Sequence, residues 1–134
     1  MLRLPTLREM DQAACPKILL YRPAADMRHG FDRLAELVRT HLQEDPLSGT
    51  LFLFRSRCGG RLKILYWDRD GYALWYKRLE QGVFRFPKVA DDGTAKVQIR
   101  PSELAMLLEG IDLRSVKRLA RYQSPASAKE DVRT

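Results

Sequence analysis

Residues 62–78 read Leu62-Lys-Ile-Leu-Tyr-Trp-Asp-Arg-Asp-Gly-Tyr-Ala-Leu-Trp-Tyr-Lys-Arg78, and this stretch decides the fold. Its two halves are rich in aromatic and aliphatic residues, which favour β-strands. Between them, Asp68-Arg-Asp-Gly71 is typical of a hairpin loop with Gly71 at a positive φ. The stretch therefore predicts two antiparallel strands, 62–67 and 72–78, joined by a tight turn.

Further strands are predicted on both sides of this hairpin. The run at residues 51–54 is fully apolar, which is typical of a central strand, and residues 17–21 form another short apolar run. After the hairpin, residues 83–86 end at a proline, and residues 94–99 alternate apolar with polar side chains as a half-exposed strand does. We expect an α+β fold: an antiparallel meander sheet of about five strands, with a helix packed on one face and C-terminal helices.

Helices are predicted both before the hairpin and after the last strand. Apolar residues recur at spacings of three and four over residues 27–43, and Asp26 is placed to cap that helix. A second helix opens at Pro101 and ends at Gly110. Asp112 is placed to cap a last helix with four cations on a single face: Arg114, Lys117, Arg118 and Arg121.

The length of 134 residues fits one domain. We place that domain at residues 17–122, after a flexible arm at 1–16 and before a disordered tail at 123–134. The sequence has no run of about eighteen apolar residues and no secretory signal, so we expect a cytoplasmic protein without a membrane partner. Cys15 and Cys58 stand far apart and are expected to stay reduced.

The excess positive charge is concentrated in two segments. The chain carries a net charge of +7 at pH 7, with seven cations and two acids in residues 55–78 and six cations and two acids in residues 114–134. Such segments attract polyanions, of which nucleic acid is the commonest in a cytoplasm, although a surface that only confers solubility has the same composition. The predicted DNA contacts are Arg55, Arg57, Arg61, Lys63, Lys77, Arg78, Arg114, Lys117, Arg118 and Arg121.

Motifs for catalysis are missing from the sequence. It contains no G-x-S-x-G, P-loop or G-x-G-x-x-G motif, and neither His29 nor His41 has an evident catalytic partner. Asp68 and Asp70 are spaced to hold Mg²⁺ for phosphodiester chemistry, but aspartates around a hairpin loop are also what turn chemistry prefers. We expect no enzymatic activity, no metal site and no cofactor.

The aromatic residues of the hairpin allow a second kind of interface. Trp67 and Trp75 are predicted to form an apolar patch for a protein partner. Aromatic side chains interleaved with cations on a sheet also stack nucleic-acid bases, and at period two along a strand they pack in the core. From the sequence these three interpretations stay open.

Six blocks, in order along the chain, resemble a known family: Asp26–Leu34, Gly49–Arg55, Arg61–Gly71, Leu74–Glu80, Phe84–Pro87 and Leu104–Asp112. They are similar to TnpB, also called Orf2, the small accessory protein of bacterial insertion sequences of the insertion sequence 66 family. The RNA-guided nuclease that shares this name is a different protein. The resemblance covers most of the expected domain.

The resemblance implies a role in DNA transposition beside a larger transposase that carries the acidic catalytic residues. The family member itself has no assigned catalytic activity. The expected partners are therefore DNA, at the ends of the insertion sequence or without sequence preference, and the transposase of the element. The alternatives are an adaptor that docks on the transposase without touching DNA, and a metal-dependent nuclease.

Overall fold

The computed structural model describes residues 16–86, 93–112 and 117–118, and the centre of this part is a five-stranded sheet. Its strands are β1 (Ile18–Tyr21), β2 (Leu51–Arg55), β3 (Arg61–Asp68), β4 (Gly71–Arg78) and β5 (Lys96–Gln98). They lie in the order β4-β3-β2-β1-β5, which puts the apolar β2 in the middle. The expected α+β fold with five strands in its sheet is confirmed.

The sheet is mixed rather than wholly antiparallel. Strands β2, β3 and β4 form the predicted antiparallel meander, and β5 runs antiparallel to β1. Strands β1 and β2 run parallel, with Ile18 opposite Leu51. A parallel pair needs a crossover connection, and the helix between these two strands supplies it.

That helix begins later than the sequence predicts. Helix α1 (Phe31–Leu37) continues directly into a π-helical segment, Val38–Leu42, and its N-cap is Gly30. The prediction that Asp26 caps it is wrong, because the Asp26 carboxylate accepts the backbone N–H of Arg28 at 2.9 Å in a local turn. Residues 27–30 therefore form a loop before the helix.

The turn of the β3–β4 hairpin has two residues, Arg69 and Asp70, because Asp68 pairs directly with Gly71. The positive φ falls on Arg69, at 55°, and Gly71 is the first residue of β4. The prediction of a positive φ at Gly71 is therefore wrong.

Residues 83–86 do not form the predicted strand. Phe84 is buried in the core, and its backbone N–H donates to the carbonyl of Gly59 at 2.8 Å, so this segment packs against the turn before β3. The alternating segment at residues 94–99 does contain a strand, the short β5.

The sheet has a hydrophobic core on each face. On one face Phe52 and Leu65 pack with the helical residues Leu34 and Val38. On the other face, residues of β1, β2 and β3 pack with Leu104 and Leu107 of helix α2 (Pro101–Glu109). Side chains alternate between faces along a strand, and this alternation sorts every residue of the hairpin onto one face or the other.

The predicted last helix is wrong where the structure describes it. After α2 ends at Gly110, in the left-handed conformation with φ 83°, strand β6 (Ile111–Asp112) pairs with strand β7 (Lys117–Arg118). The pairing puts the backbone of Lys117 and Arg118 in an extended conformation, so these residues cannot lie on a shared helix face with Arg114 and Arg121. Those two arginines, the predicted arm at residues 1–15 and the predicted tail at 123–134 lie outside the described residues.

Candidate nucleic-acid interface

One end of the β3–β4 hairpin collects five of the predicted DNA contacts. Strand β2 ends there, β3 begins there and β4 ends there, because Arg55 pairs with Leu62 and Arg61 pairs with Arg78. We call residues 55–61 and 77–80 the open end, and residues 68–71 the closed end. The predicted contacts at the open end are Arg55, Arg57, Arg61, Lys77 and Arg78.

The turn between β2 and β3 is fixed by its own hydrogen bonds. The backbone N–H of Ser56 donates to the carbonyl of Arg61 at 3.1 Å, and the N–H of Arg61 donates to the Ser56 hydroxyl at 3.0 Å. Gly59 takes a positive φ of 82°. This arrangement holds Arg57 at the surface, where it is exposed, with the backbone around it already ordered.

Arg61 and Arg78 stand directly opposite each other on neighbouring strands. Two like charges in this position repel and cost stability. Glu80 offsets part of the repulsion through an ion pair with Arg78 at 3.0 Å, while Arg61 donates to the Tyr76 hydroxyl at 3.5 Å. A bound anion would stabilise such a pair further, which makes the open end a candidate phosphate site.

Lys77 lies on the opposite face of the sheet from Arg61 and Arg78. Its cross-strand partner is Leu62, which packs in the core beneath α2. The cations therefore surround the end of the sheet on both faces instead of forming one flat patch.

Arg55 has a structural role in addition to carrying a positive charge. Its guanidinium donates to the backbone carbonyl of Arg22, with 2.9 Å from Nε, and it lies 5.9 Å from the centre of the Phe86 ring. Arg55 is half-buried as a result. It thus fastens the end of β2 to the residue that follows β1.

The prediction that Lys63 contacts DNA is wrong, because this side chain is inside the protein. Lys63 is only 6% exposed, and its ammonium donates to the carbonyls of Met27 at 2.6 Å and His29 at 2.7 Å. The ring of Tyr76 lies 4.7 Å from the same nitrogen. Burial lowers the pKa of Lys63. This lysine holds the loop before α1 against the sheet.

Arg85 is a cation of the same region that the sequence prediction missed. It is exposed, and it follows Phe84, whose backbone is bonded to Gly59 of the open end. A signal was present in the sequence, since Arg85 lies between Phe84 and Phe86 and alternation would direct it away from the core.

The apolar patch predicted for Trp67 and Trp75 does not form. Trp67 pairs across the strands with Tyr72, and their rings meet edge-on with centroids 5.1 Å apart. Trp75 pairs with Ile64 and packs against the core beneath α2. Trp75 is three residues from Tyr72, the cross-strand partner of Trp67, and this odd separation along β4 puts the two tryptophans on opposite faces of the sheet.

Asp68 and Asp70 are exposed at the closed end, about the turn residue Arg69. In the part of the chain that the structure describes, no three His, Cys, Asp or Glu side chains come together in a way that could hold a metal ion. The two aspartates therefore occupy the positions that turn chemistry prefers.

Cys58 is an exposed free thiol in the turn of the open end. Hydrogen bonds from the backbone of Gly60 and from Ser56 lower its pKa. Cys15 lies outside the described residues.

Neither α1 nor α2, the helices of the described part, has the length and apolar character that a membrane span requires.

These observations define a small mixed-sheet domain with a basic end and, in its described residues, no assembled metal site. Comparison of sequences gives the family. The family described as "IS66 Orf2 like protein" matches residues 16–118, and the chain belongs to this insertion-sequence family. No solved structure matches the chain.

Two relatives come from Sinorhizobium fredii (strain NBRC 101917 / NGR234). The uncharacterized protein y4jC is 37% identical over 102 residues, which are 76% of this chain and 85% of the relative. The uncharacterized protein y4hO is 45% identical over 89 residues, which are 66% of this chain and 75% of the relative.

Proposed function

We propose that this protein is a noncatalytic accessory of DNA transposition that binds DNA phosphates through the open end of its hairpin. The observation that carries the proposal is the exposed cation cluster built around the opposed pair Arg61 and Arg78. Arginine suits phosphate because its planar fork donates two parallel hydrogen bonds. The contacts reach the DNA backbone, so binding is largely independent of base sequence.

A titration of duplex DNA by fluorescence anisotropy at several salt concentrations tests this proposal. Five phosphate contacts predict that log K falls with log salt at a slope of roughly −4 to −5. An affinity that does not change with salt would contradict it.

A triple variant locates the contacts. Replacing three exposed cations, Arg57→Gln, Lys77→Gln and Arg85→Gln, is expected to weaken binding about 100-fold near physiological salt and to reduce the slope by about 3. The matched control removes three exposed cations elsewhere: Arg33→Gln, Arg39→Gln and Arg69→Gln. Equal losses in the two variants would mean that only the net charge matters and that the open end is not the site.

The transposase of the same element is the proposed protein partner. A pull-down of the full chain with that transposase, with and without nuclease treatment, separates two ways of assisting it. We expect the complex to be lost after nuclease treatment, because DNA bridges the two proteins. A complex that persists would favour the adaptor alternative, in which the protein docks on the transposase directly.

A further inference from the structure

Strand β4 is the last strand on its side of the sheet, and its outer edge is open in the described structure. The bond from the Leu79 N–H to the Gly60 carbonyl, at 2.8 Å, continues the β3–β4 ladder and fixes its alternation. Ala73 and Trp75 direct their backbone groups toward β3, so those of Tyr72, Leu74 and Tyr76 point outward. Within residues 16–86, 93–112 and 117–118, no backbone group bonds to this edge.

Over its first six residues this edge lacks the features that normally prevent strands from pairing. It is eight residues long, and the segment from Gly71 to Tyr76 carries no charge, proline or bulge. Tyr76 is 47% exposed. Long, regular edges of this kind are templates for pairing with another strand.

We propose that β4 pairs with β4 of a second copy of this chain, antiparallel about a two-fold axis at Leu74. The two five-stranded sheets would then form one continuous ten-stranded sheet. In this register Tyr72 stands opposite Tyr76 of the second copy, and backbone groups that point outward meet each other. The hydrogen bonds of the edge are thereby satisfied by an identical edge.

Charge complementarity selects both the occupant and the register. One end of β4 carries Asp68 and Asp70 against Arg69, and the other carries Lys77 and Arg78 against Glu80, so the two ends have opposite net charges. In an antiparallel pair centred on Leu74, Asp70 of each copy meets Arg78 of the other. Of the two neighbouring permitted registers, the one centred on Trp75 would bring Asp70 near Glu80 of the second copy, where like charges repel, and the one centred on Ala73 would place Asp70 opposite the uncharged Tyr76.

The pairing goes beyond DNA binding and does not depend on it. Because the strands are antiparallel, the open ends of the two copies point in opposite directions. A pair would therefore carry two separate basic ends, each beside the closed end of the other copy.

A charge exchange followed by sedimentation equilibrium tests the proposal on the full chain. The native protein is expected to dimerise, and Asp70→Arg or Arg78→Asp alone is expected to weaken the dimer about tenfold at low salt, because each creates two like-charged contacts. The double variant, Asp70→Arg with Arg78→Asp, is expected to return to within about threefold of the native dissociation constant. Within one copy these residues are roughly 26 Å apart along β4, so the rescue requires a second copy.

Glu109→Arg is the matched control, since it makes the same charge change on an exposed residue of α2 and should leave dimerisation unaltered. A monomer at the highest soluble concentration would overturn the proposal. So would a dimer that the single charge changes do not weaken or that the double variant does not restore.

Residue-level hydrogen exchange provides a second measurement. At high concentration the outward amides of Tyr72, Leu74 and Tyr76 are expected to exchange slowly, and on dilution they should exchange rapidly. The inward amides of Ala73 and Trp75 should stay slow in both conditions. Outward amides that exchange equally fast at both concentrations would count against pairing at this edge.

Discussion

The two ends of the β3–β4 hairpin have opposite chemistry. The open end has exposed cations on both faces of the sheet, among them Arg57 and Lys77, around the opposed pair Arg61 and Arg78. The closed end, residues 68–71, contains a two-residue turn, and its two aspartates outnumber Arg69. The antiparallel register sets this contrast. At the open end it brings Arg61 beside Arg78, which is distant along the chain, whereas the closed end contains only consecutive residues.

The basic segment at residues 55–78 contains cations that face water and one cation that does not. Lys63 and Lys77 both belong to the basic segment at residues 55–78, yet one is buried under the loop before α1 and the other is exposed. Charge counted along the chain is therefore a poor guide to charge at the surface. The proposed interface depends on which cations the strands direct outward.

Lys63→Met against Lys77→Met is the sharpest way to test this separation. Lys63→Met should lower the free energy of unfolding by about 2 kcal/mol, because the carbonyls of Met27 and His29 lose their donor. Lys77→Met should change it by less than about 0.5 kcal/mol. Chemical denaturation measures both, and equal effects would contradict a buried, bonded Lys63.

Gly59→Ala against Gly71→Ala tests the backbone of the two ends. An alanine at position 59 would have a φ of 82°, with its Cβ at 3.4 Å from the Cβ of Val83, so we expect a loss of about 1–2 kcal/mol. Gly71 has no such φ and nothing within 4 Å of an added Cβ, so alanine there should be nearly neutral. A larger loss of stability at position 71 than at position 59 would support the positive φ that the sequence predicts for Gly71.

Arg69→Asn tests the closed end alone. Arg69 has a φ of 55°, a conformation that asparagine tolerates better than arginine does. We expect the variant to be more stable by about 0.5 kcal/mol in thermal or chemical unfolding. A decrease in stability would mean that the Arg69 side chain makes a contribution that its exposed position does not suggest.

Asp26→Asn is expected to change the free energy of unfolding least of all these variants, and the change should depend on pH. Asp26 precedes the loop that Lys63 holds against the sheet. Hydrogen bonds from the Arg28 side chain and backbone hold the pKa of Asp26 well below its ordinary value of 3.8. Because the folded-state pKa is the lower one, the ionised carboxylate stabilises the fold above pH 3.8, and this contribution is lost as the pH falls toward the folded-state pKa.

Chemical unfolding of the native chain and of Asp26→Asn at several pH values tests whether the ionised carboxylate stabilises the fold. The native chain should be the more stable of the two near neutral pH, and the difference should shrink in acid. A difference that grows as the pH falls would contradict the assignment.

Local patterns in the sequence predicted the strands well, apart from residues 83–86, and the connections less well. The apolar run at 51–54 and the hairpin at 62–78 are both strands, because burial and aromatic content act within a few residues. The parallel pairing of β1 with β2 was missed, since strand direction depends on how α1 crosses the sheet. Asp26 was misplaced because its carboxylate closes a local turn before the helix begins.

The candidate site was predictable in composition but not in arrangement. Lys77 and Arg78 lie on a strand, as predicted, and the register then brings them beside Arg61 and the turn that precedes it. The burial of Lys63 and the separation of Trp67 from Trp75 follow from alternation across a paired hairpin, so they depend on the register as well as on the period of two. The spacing of the cations after Asp112 favoured a helix. In the structure, Lys117 and Arg118 instead form a strand that pairs with Ile111 and Asp112.

The most direct test of the account is a map of backbone amide shifts by NMR as duplex DNA is added to the full chain. In a solution dilute enough to keep the chain monomeric, we expect the shifts to concentrate at residues 55–61, 77–80 and 85, and residues 68–71 to stay unchanged. Shifts concentrated at the closed end, or spread evenly over both ends of the hairpin, would contradict it.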